Sequence, residues 1–293
     1  MIDSNDFQAK DYLDAVEDGL LMRKAGKWTA EKLHYLNRYL DIFITSMHDK
    51  PWRGINFIDL FSGPGKSKVC DTGYILIGSP LLSIQLHHTF NHYYFVDKNE
   101  KAINALKARC ETSSRANRIQ FFVGDSNQLV GEIVQEIKDF DRKKIQDQWT
   151  SLNLAFLDPE GFELQWKSVA MLGNVKRMDL IIYYPQMGLT REMPKDINYS
   201  PPTKIDNFFG NTQWRDIYRR YKTGQITNVH RALMDLYERQ LTTLGYVDIR
   251  EDELLMRSSK RKAPLYRLIF ASKNELAEKF WKEAIRRDQQ FSK

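Results

Sequence analysis

Apolar residues recur every three or four positions along residues 28–48, at Leu33, Leu36, Leu40, Phe43 and Met47, the spacing of one helix face. Thr29 is the candidate cap of that helix, with Glu31 in its first turn. The pattern then changes period. Residues 55–60 are a short, nearly continuous apolar run, Ile-Asn-Phe-Ile-Asp-Leu, followed by Phe61-Ser-Gly-Pro-Gly65. A run of that length stopped by glycine and proline predicts a buried strand delivering a tight turn. Gly78-Ser79-Pro80 predicts a helix start, with Ser79 as cap and Pro80 at the first helical position.

From there strands and helices alternate. Residues 93–96, Ile119–Val123, Leu152–Leu157 and 179–184 read as strands, and Glu100–Cys110, 127–140 and 166–172 as the helices between them. This rhythm predicts an α/β fold, a Rossmann-like, doubly wound and mostly parallel sheet. After residue 185 the rhythm breaks. Residues 186–227 hold Gly188, Pro194, Pro201, Pro202, Gly210 and Gly224 among aromatic residues, and read as an irregular insertion. Residues 229–244 return to helical spacing. Two apolar runs, 246–249 and 265–271, then follow without a helix between them and read as antiparallel neighbours, with 274–289 as a closing helix. The expected whole is a seven-stranded sheet with one reversed strand near its edge. It divides into an N-terminal helical segment (1–50), a cofactor-binding α/β core (51–185), the insertion (186–227) and a C-terminal completion of the sheet (228–293).

The 293 residues are 42% hydrophobic and 28% charged, enough for one large domain with a packed core. No apolar run approaches the length of a membrane span, and residues 1–18 are polar and acidic. The expectation is a cytoplasmic protein without a secretory signal or a membrane partner. Cys70 and Cys110 are too few for a disulfide framework or a cysteine metal cage. His87, His88 and His92 lack an intervening glutamate and an evident third ligand, so no metal site is expected. The net charge of +6 is unevenly placed: residues 1–203 balance to −1 and residues 204–293 to +7. A clustered basic surface attracts nucleic acid. The turn between the last two strands, with Lys260 and Arg261, is its leading candidate contact.

Four successive strands end in aspartate: Asp59, Asp97, Asp125 and Asp158. Ligands of open α/β sheets sit beyond the carboxyl ends of the strands, so these acids are expected along one rim. The turn carrying Phe61, Gly63 and Gly65 lacks side-chain bulk at two positions, which lets a ligand approach its backbone amides. Asp97 is placed to accept from a ribose diol, and Asp125, with Ser126 beside it, to meet an adenine amino group. Two other nucleotide readings fit less well. Gly65-Lys66-Ser67 resembles the end of a P-loop, but Leu60 stands where its first glycine belongs and Pro64 removes an amide. A dinucleotide fold wants a third glycine where Lys68 stands, and an acid about 20 residues on, whereas Asp97 lies 32 residues beyond Gly65.

The order strand, aspartate, Phe-Ser-Gly-Pro-Gly, ribose aspartate, Gly-Asp and Asp-Pro resembles the class I S-adenosylmethionine-dependent methyltransferases, over roughly residues 28 to 271. The resemblance implies S-adenosylmethionine as cofactor. Asp59, Gly63 and Gly65 would surround its methionine end, Asp97 its ribose and Asp125 its adenine, with Asp158-Pro159-Glu160-Gly161 facing the methyl group. A narrower set is similar to the three-Cys-motif partner protein family (TcmP). It comprises Trp28-Thr-Ala-Glu-Lys-Leu33, Phe57-Ile-Asp-Leu-Phe-Ser-Gly-Pro-Gly-Lys-Ser67, Gly78-Ser-Pro80, Asp158-Pro-Glu-Gly161 and Tyr184-Pro-Gln-Met-Gly188. That bacterial and phage-associated family is named for a neighbour whose cysteine triad is of the kind that holds an iron–sulfur cluster. This chain has no such triad, so the cluster would belong to the partner.

Methyl transfer is an in-line displacement that depends on positioning and electrostatics. Asp158-Pro159-Glu160 is the candidate catalytic segment, its two carboxylates orienting or deprotonating the nucleophile. Methyltransferases acting on base amino groups commonly carry Asp/Asn-Pro-Pro-aromatic in this loop. Here Glu160 replaces the second proline and the aromatic is displaced to Phe162. Tyr183, Tyr184 and Pro185 are alternative candidates for a stacking wall. Three readings stay open: a methyltransferase acting on nucleic acid or protein, a non-catalytic or partner-dependent module serving a cysteine-motif protein, and a plain nucleic-acid binder.

Overall fold

The apolar run at residues 55–59 is a strand buried at every position, because helices cover both faces of the sheet it centres. The computed structural model describes residues 16–143, 145–250, 255–257 and 263–286. In chain order the elements are β1 (Arg23–Ala25), α1 (Trp28–Met47), β2 (Ile55–Asp59), β3 (Lys66–Val69), β4 (Ile75–Ile77), α2 (Ser79–Gln85), β5 (His92–Asp97), α3 (Glu100–Cys110) and β6 (Ile119–Val123). There follow α4 (Ser126–Arg142), β7 (Leu152–Leu157), α5 (Trp166–Gly173), β8 (Met178–Tyr184), α6 (Gln186–Asp196), α7 (Lys204–Phe209) and α8 (Gln213–Lys222). The chain closes with α9 (Val229–Thr243), β9 (Asp248–Arg250), β10 (Leu255–Arg257), β11 (Pro264–Ser272) and α10 (Leu276–Ile285).

The main sheet runs β10-β11-β8-β7-β2-β5-β6, with β9 also paired to β11. Strands β2, β5, β6, β7 and β8 are parallel, and β11 is antiparallel to its neighbours β8, β9 and β10. This is the Rossmann-like sheet with one reversed strand that the alternation predicts, enlarged by the short β10. Strand order departs from β2 in both directions, towards β5 and β6 on one side and β7 and β8 on the other. That reversal opens a crevice at the carboxyl ends beside β2.

The pleat sends alternate residues to two cores. Phe57 and Phe95 join Tyr39, Leu40 and Phe43 of α1 and Trp281 of α10 on one face. Ile58 and Val96 join Val130 and Ile133 of α4, Leu172 of α5 and Tyr237 of α9 on the other. The helix α1 starts one residue earlier than its candidate cap. Lys27 is the N-cap residue, and the Thr29 amide already donates to Gly26 O at 3.0 Å, so Thr29 lies within the first turn. Ser79 is likewise the first residue of α2 rather than its cap, which is Gly78.

Two regions differ from expectation. Between the glycine turn and α2 the chain forms a hairpin of β3 and β4, and β1 adds to β3 in parallel, Arg23 opposite Ser67. This second sheet of three short strands is what delays α2 to residue 79. Lys-Ser-Lys-Val in β3 has little strand signal of its own. Residues 186–227, expected to be irregular, hold the three helices α6, α7 and α8. Leu189 and Met193, Ile205, Phe208 and Phe209, and Trp214, Ile217 and Tyr218 are buried there at helical spacing. Much of the proline and glycine content is punctuation between these helices. Pro201 and Pro202 precede α7, which begins with a capping box of Thr203 and Asp206, and Gly210 ends it at φ +67. The Asp206 carboxylate also accepts from Trp214 Nε1 at 2.7 Å and from Arg215 Nε and Nη2 at 3.0 and 2.8 Å, locking α7 to α8. No helix among the described residues is long and apolar enough to cross a membrane.

Candidate functional site

The carboxyl ends of β2, β5, β6 and β7 border a cleft of two adjoining compartments, of about 570 and 400 Å³. The larger is lined by the glycine turn, Asp158, Lys32, Tyr183 and Tyr266. The smaller is lined by Asp97, Asp125, Ser126, Asn127 and Glu163. Arg23, Phe61, Glu160 and Phe162 border both.

Of the four strand-end acids, Asp59 stands apart. It is 0% exposed and is absent from the lining of either compartment, so it does not touch a ligand at the methionine end. Its Oδ1 accepts from the Phe61 amide at 3.1 Å and its Oδ2 from the Ser79 hydroxyl at 2.6 Å. Burial pushes its carboxyl up to about 7, against those two hydrogen bonds, which favour the carboxylate. Asp59 is a brace behind the turn, tying its first residue to the start of α2.

The turn itself differs from an open amide nest. The Phe61 amide goes to Asp59, the Ser62 amide to Val96 O at 2.9 Å and the Gly63 amide to Asp97 Oδ2 at 2.9 Å. Pro64 has no amide hydrogen. Gly63 and Gly65 take φ of +61 and +86, the left-handed region that favours glycine. A Cβ on Gly65 would come within 2.7 Å of Leu106, and one on Gly63 within 3.2 Å of the Arg23 guanidinium. The glycines therefore make room for neighbouring side chains, and a ligand would meet the turn as a surface.

Asp97 accepts from the Asn99 amide at 2.8 Å through Oδ1, while its Oδ2 also faces Arg23 Nη2 at 3.4 Å. Asp125 is the N-cap of α4, its Oδ1 accepting from the Asn127 amide and side chain at 2.8 and 2.9 Å. Ser126 donates its hydroxyl to Leu60 O. Asp158 forms an ion pair through Oδ2 with Lys32 Nζ of α1, and its Oδ1 is buried without a hydrogen-bond partner among the described residues. Pro159 is buried beside it, whereas the Glu160 side chain is 67% exposed and pairs with Arg23 Nε at 3.1 Å. Arg23 thus contacts Asp97 of one compartment and Glu160 at the boundary of both. Phe162 lines the boundary as well, its ring edge-on to Phe208 at 5.9 Å.

Successive residues of β8 point to opposite faces, and this separates the two tyrosines. Tyr183 lines the larger compartment with its ring 4.8 Å from that of Tyr266. Tyr184 is 0% exposed and packs against Phe208 and Tyr237 in the opposite core, so it is no part of a stacking wall. Lys260 and Arg261 lie outside the described residues. His88 stacks on His48 with ring centroids 3.6 Å apart, and His92 meets the edge of Phe140. Burial pushes the Cys110 thiol up to about 12, far from a nucleophilic thiolate.

Three residues of the cleft escape a reading by strand ends: Arg23, Lys32 and Tyr266. Lys32 had a signal, since it occupies the otherwise apolar 32-36-40-43 stripe of α1. Arg23 had none, because it arrives through the β1–β3 pairing. The charged lining of the larger compartment is Arg23, Lys24, Lys32, Lys66 and Arg191 against Asp158 and Glu160. The cations of the larger compartment all come from the near-neutral first 203 residues, and of the basic C-terminal part Lys204 lines the smaller one.

No family model matches the chain, and no curated protein matches it. Solved structures similar to it include the O-methyltransferase from Bacillus cereus in complex with S-adenosylhomocysteine, 13% identical with a TM-score of 0.44, over 81% of this chain and 80% of that one. The O-methyltransferase TomG from Streptomyces achromogenes in complex with S-adenosylmethionine is 9% identical with a TM-score of 0.45, over 83% and 80% of the two chains. Protein LPL1258 from Legionella pneumophila is 9% identical with a TM-score of 0.45, over 82% and 84%. The strand order described above stands on its own hydrogen-bond register, independent of these likenesses.

Proposed function

We propose that the cleft binds S-adenosylmethionine and that the chain is a methyltransferase of the class I type, acting on a nucleic acid or a protein. The observation that carries this reading is the division of labour at the crevice beside β2. Asp97 and Asp125, on neighbouring strands, line one compartment, and the glycine turn and Asp158 line the next. That arrangement suits a ligand with an adenosine at one end and a small charged group at the other.

The residues present fit such a ligand. Asp97 and Asp125 each engage their own loop through Oδ1, and a carboxylate has further lone pairs to offer. Asp97 would accept from the ribose hydroxyls, with Asp125, Ser126 and Asn127 around the base and Phe61 spanning both compartments. The surface at Gly63 and Gly65 would take the methionine end. When bound, S-adenosylmethionine supplies an electrophilic methyl carbon. The protein's part is then to orient an acceptor, and Asp158, which lines the larger compartment half-buried and charge-paired with Lys32, is the carboxylate in place to do so. Glu160, exposed and drawn to Arg23, is an outer contact of the same loop.

One observation favours a partner-dependent form of the same reading. Arg23 contacts both Asp97 and Glu160, so a protein that draws β1 aside would free the ribose acid. The resemblance to the TcmP family makes a cysteine-motif iron–sulfur protein the candidate. The test is calorimetric titration of S-adenosylmethionine and S-adenosylhomocysteine into the purified chain. Micromolar binding, on the order of −8 kcal/mol, that weakens at least tenfold in Asp97→Ala is the expected result. A folded protein that binds neither compound overturns the stand-alone enzyme. Binding restored by the cysteine-motif protein would then establish the partner-dependent form.

A further inference from the structure

Ahead of α1, residues 16–25 run as a strap beside the glycine turn, and one buried cation fastens them there. Arg109, in the last turn of α3, has a side chain only 4% exposed. Its Nε and Nη2 donate to the two carboxylate oxygens of Asp18 at 2.8 and 2.7 Å, the paired geometry that suits a guanidinium. Its Nη1 donates to Leu21 O at 2.8 Å and to Pro64 O at 2.5 Å. A single side chain thus ties the strap to the backbone between Gly63 and Gly65. Lys66 Nζ adds a second cation to Asp18 at 3.0 Å, and Glu17 pairs with Lys68. The hydrogen bond from Arg109, joined by that from Lys66, holds the Asp18 carboxyl well below the usual carboxylate range despite its partial burial. The fastening therefore stays charged throughout the neutral range.

Beyond it the strap enters the cleft. Pairing of β1 with β3, extended by the Cys70 amide donating to Ala25 O at 3.0 Å, sets the Arg23 guanidinium over Gly63. Asp97 is covered as a result, its side chain 10% exposed. Its Oδ1 takes the Asn99 amide, and its Oδ2 takes both the Gly63 amide and Arg23 Nη2. A ribose diol needs this same carboxylate, so Arg23 and the ribose compete for it. Asp18 and Arg109, by contrast, line neither compartment of the cleft.

We propose that residues 16–25 are an autoinhibitory strap. While Asp18 is fastened to Arg109, Arg23 occupies the ribose acid, and a cofactor binds fully only when the strap leaves the turn. The inference rests on the S-adenosylmethionine reading of the cleft and supplies its regulation. Apparent affinity is the intrinsic affinity reduced by the fraction of molecules with the strap released. With that fraction at about 10%, the upper end for a minor state, complete release strengthens binding about tenfold.

The test is calorimetric titration of S-adenosylhomocysteine into wild type, Arg23→Ala, Asp18→Asn and the double variant. Asparagine at 18 keeps an acceptor for the Leu20 amide, which donates to Asp18 at 3.1 Å, and removes the charge. Each single variant is expected to bind about tenfold more tightly than wild type. The double variant should gain no more than the better single one, because both act on one equilibrium. Hydrogen exchange reads the strap directly: S-adenosylhomocysteine should lower the protection of residues 23–25 and 66–70 in wild type. Binding by the variants but not by wild type also supports the strap. Weaker binding by Arg23→Ala makes Arg23 a contact of the cofactor and overturns the inference. Tighter binding by Arg23→Ala but not by Asp18→Asn reduces Arg23 to a local obstacle and overturns it too. Equal binding by all four proteins, with protection unchanged, overturns the strap and leaves the cofactor reading standing. Folded protein that binds in none of the four forms overturns the cofactor reading and the strap with it.

Discussion

Asp97 and Asp158 both end buried parallel strands, yet the two halves of the cleft use them in opposite ways. On the β5–β6 side each acid accepts from the backbone two residues further on: Asp97 from the Asn99 amide and Asp125 from that of Asn127. Asp59 repeats the arrangement behind them with Phe61. On the β7 side Asp158 accepts from no backbone amide among the described residues. It is held instead by Lys32, from a helix 126 residues away in sequence. A carboxylate engaged by its own turn builds a frame. A carboxylate held by one distant cation depends instead on the packing that brings that cation to it. The difference lies in what the fold brings to each strand end, not in the residue.

The comparison extends to side chains facing in and out of the cleft, and there the largest effect is expected. Tyr184→Ala should lose about 3–5 kcal/mol of stability, as for other buried aromatic truncations, because its ring fills the core between Phe208 and Tyr237. Tyr183→Ala, at the cleft wall, should lose clearly less. Urea denaturation of the two variants decides it, and the reverse order would refute the assignment of faces.

The framing acids are tested through Asp59. Its carboxyl titrates at about 7 in the fold against an ordinary value of 3.8, so the folded state holds its proton more firmly than the unfolded chain. Stability associated with this group is therefore complete at acid pH and is lost as pH rises from about 4 to about 7, by roughly 4 kcal/mol. Asp59→Asn keeps an acceptor for the Phe61 amide and a polar partner for Ser79 while removing the charge. The difference in unfolding free energy between wild type and variant should swing in favour of the variant across that window. A difference that stays flat with pH would show that Asp59 does not titrate there.

The smallest effect sharpens the contrast most. Lys32→Met leaves the Asp158 carboxylate without its ion partner and should cost about 1–2 kcal/mol. In a double-mutant cycle with Asp158→Leu, the coupling should be about 1 kcal/mol, and additivity within about 0.3 kcal/mol would show that the pair contributes nothing.

Much of the frame is legible in the chain. Five parallel strands, their terminal acids and the reversed strand all follow from local periodicity and from turn residues at strand ends. Residues 186–227 are harder to read. Their helices are short, and Pro201, Pro202, Gly210 and Gly224 crowd the connections, so the breaks outweigh the periodic apolar positions between them. The charge balance misleads for another reason. The +7 of residues 204–293 is a sum over a segment, whereas the larger compartment selects its cations one at a time, most of them from residues 23–66.

By itself, then, the sequence determined where the strands run, that Asp59, Asp97, Asp125 and Asp158 would gather at one edge, and that a glycine turn would lie among them. These are consequences of spacing within a few residues. The tertiary structure decided that Asp59 would be a buried brace and that Tyr183 and Tyr184 would part to opposite faces. It also decided that Arg23, Lys32 and Tyr266 would arrive at the cleft, and that Lys32 would hold Asp158. Each of these depends on pairings between segments tens to hundreds of residues apart, whose register is set by the packing of the whole sheet and its helices and by no local pattern.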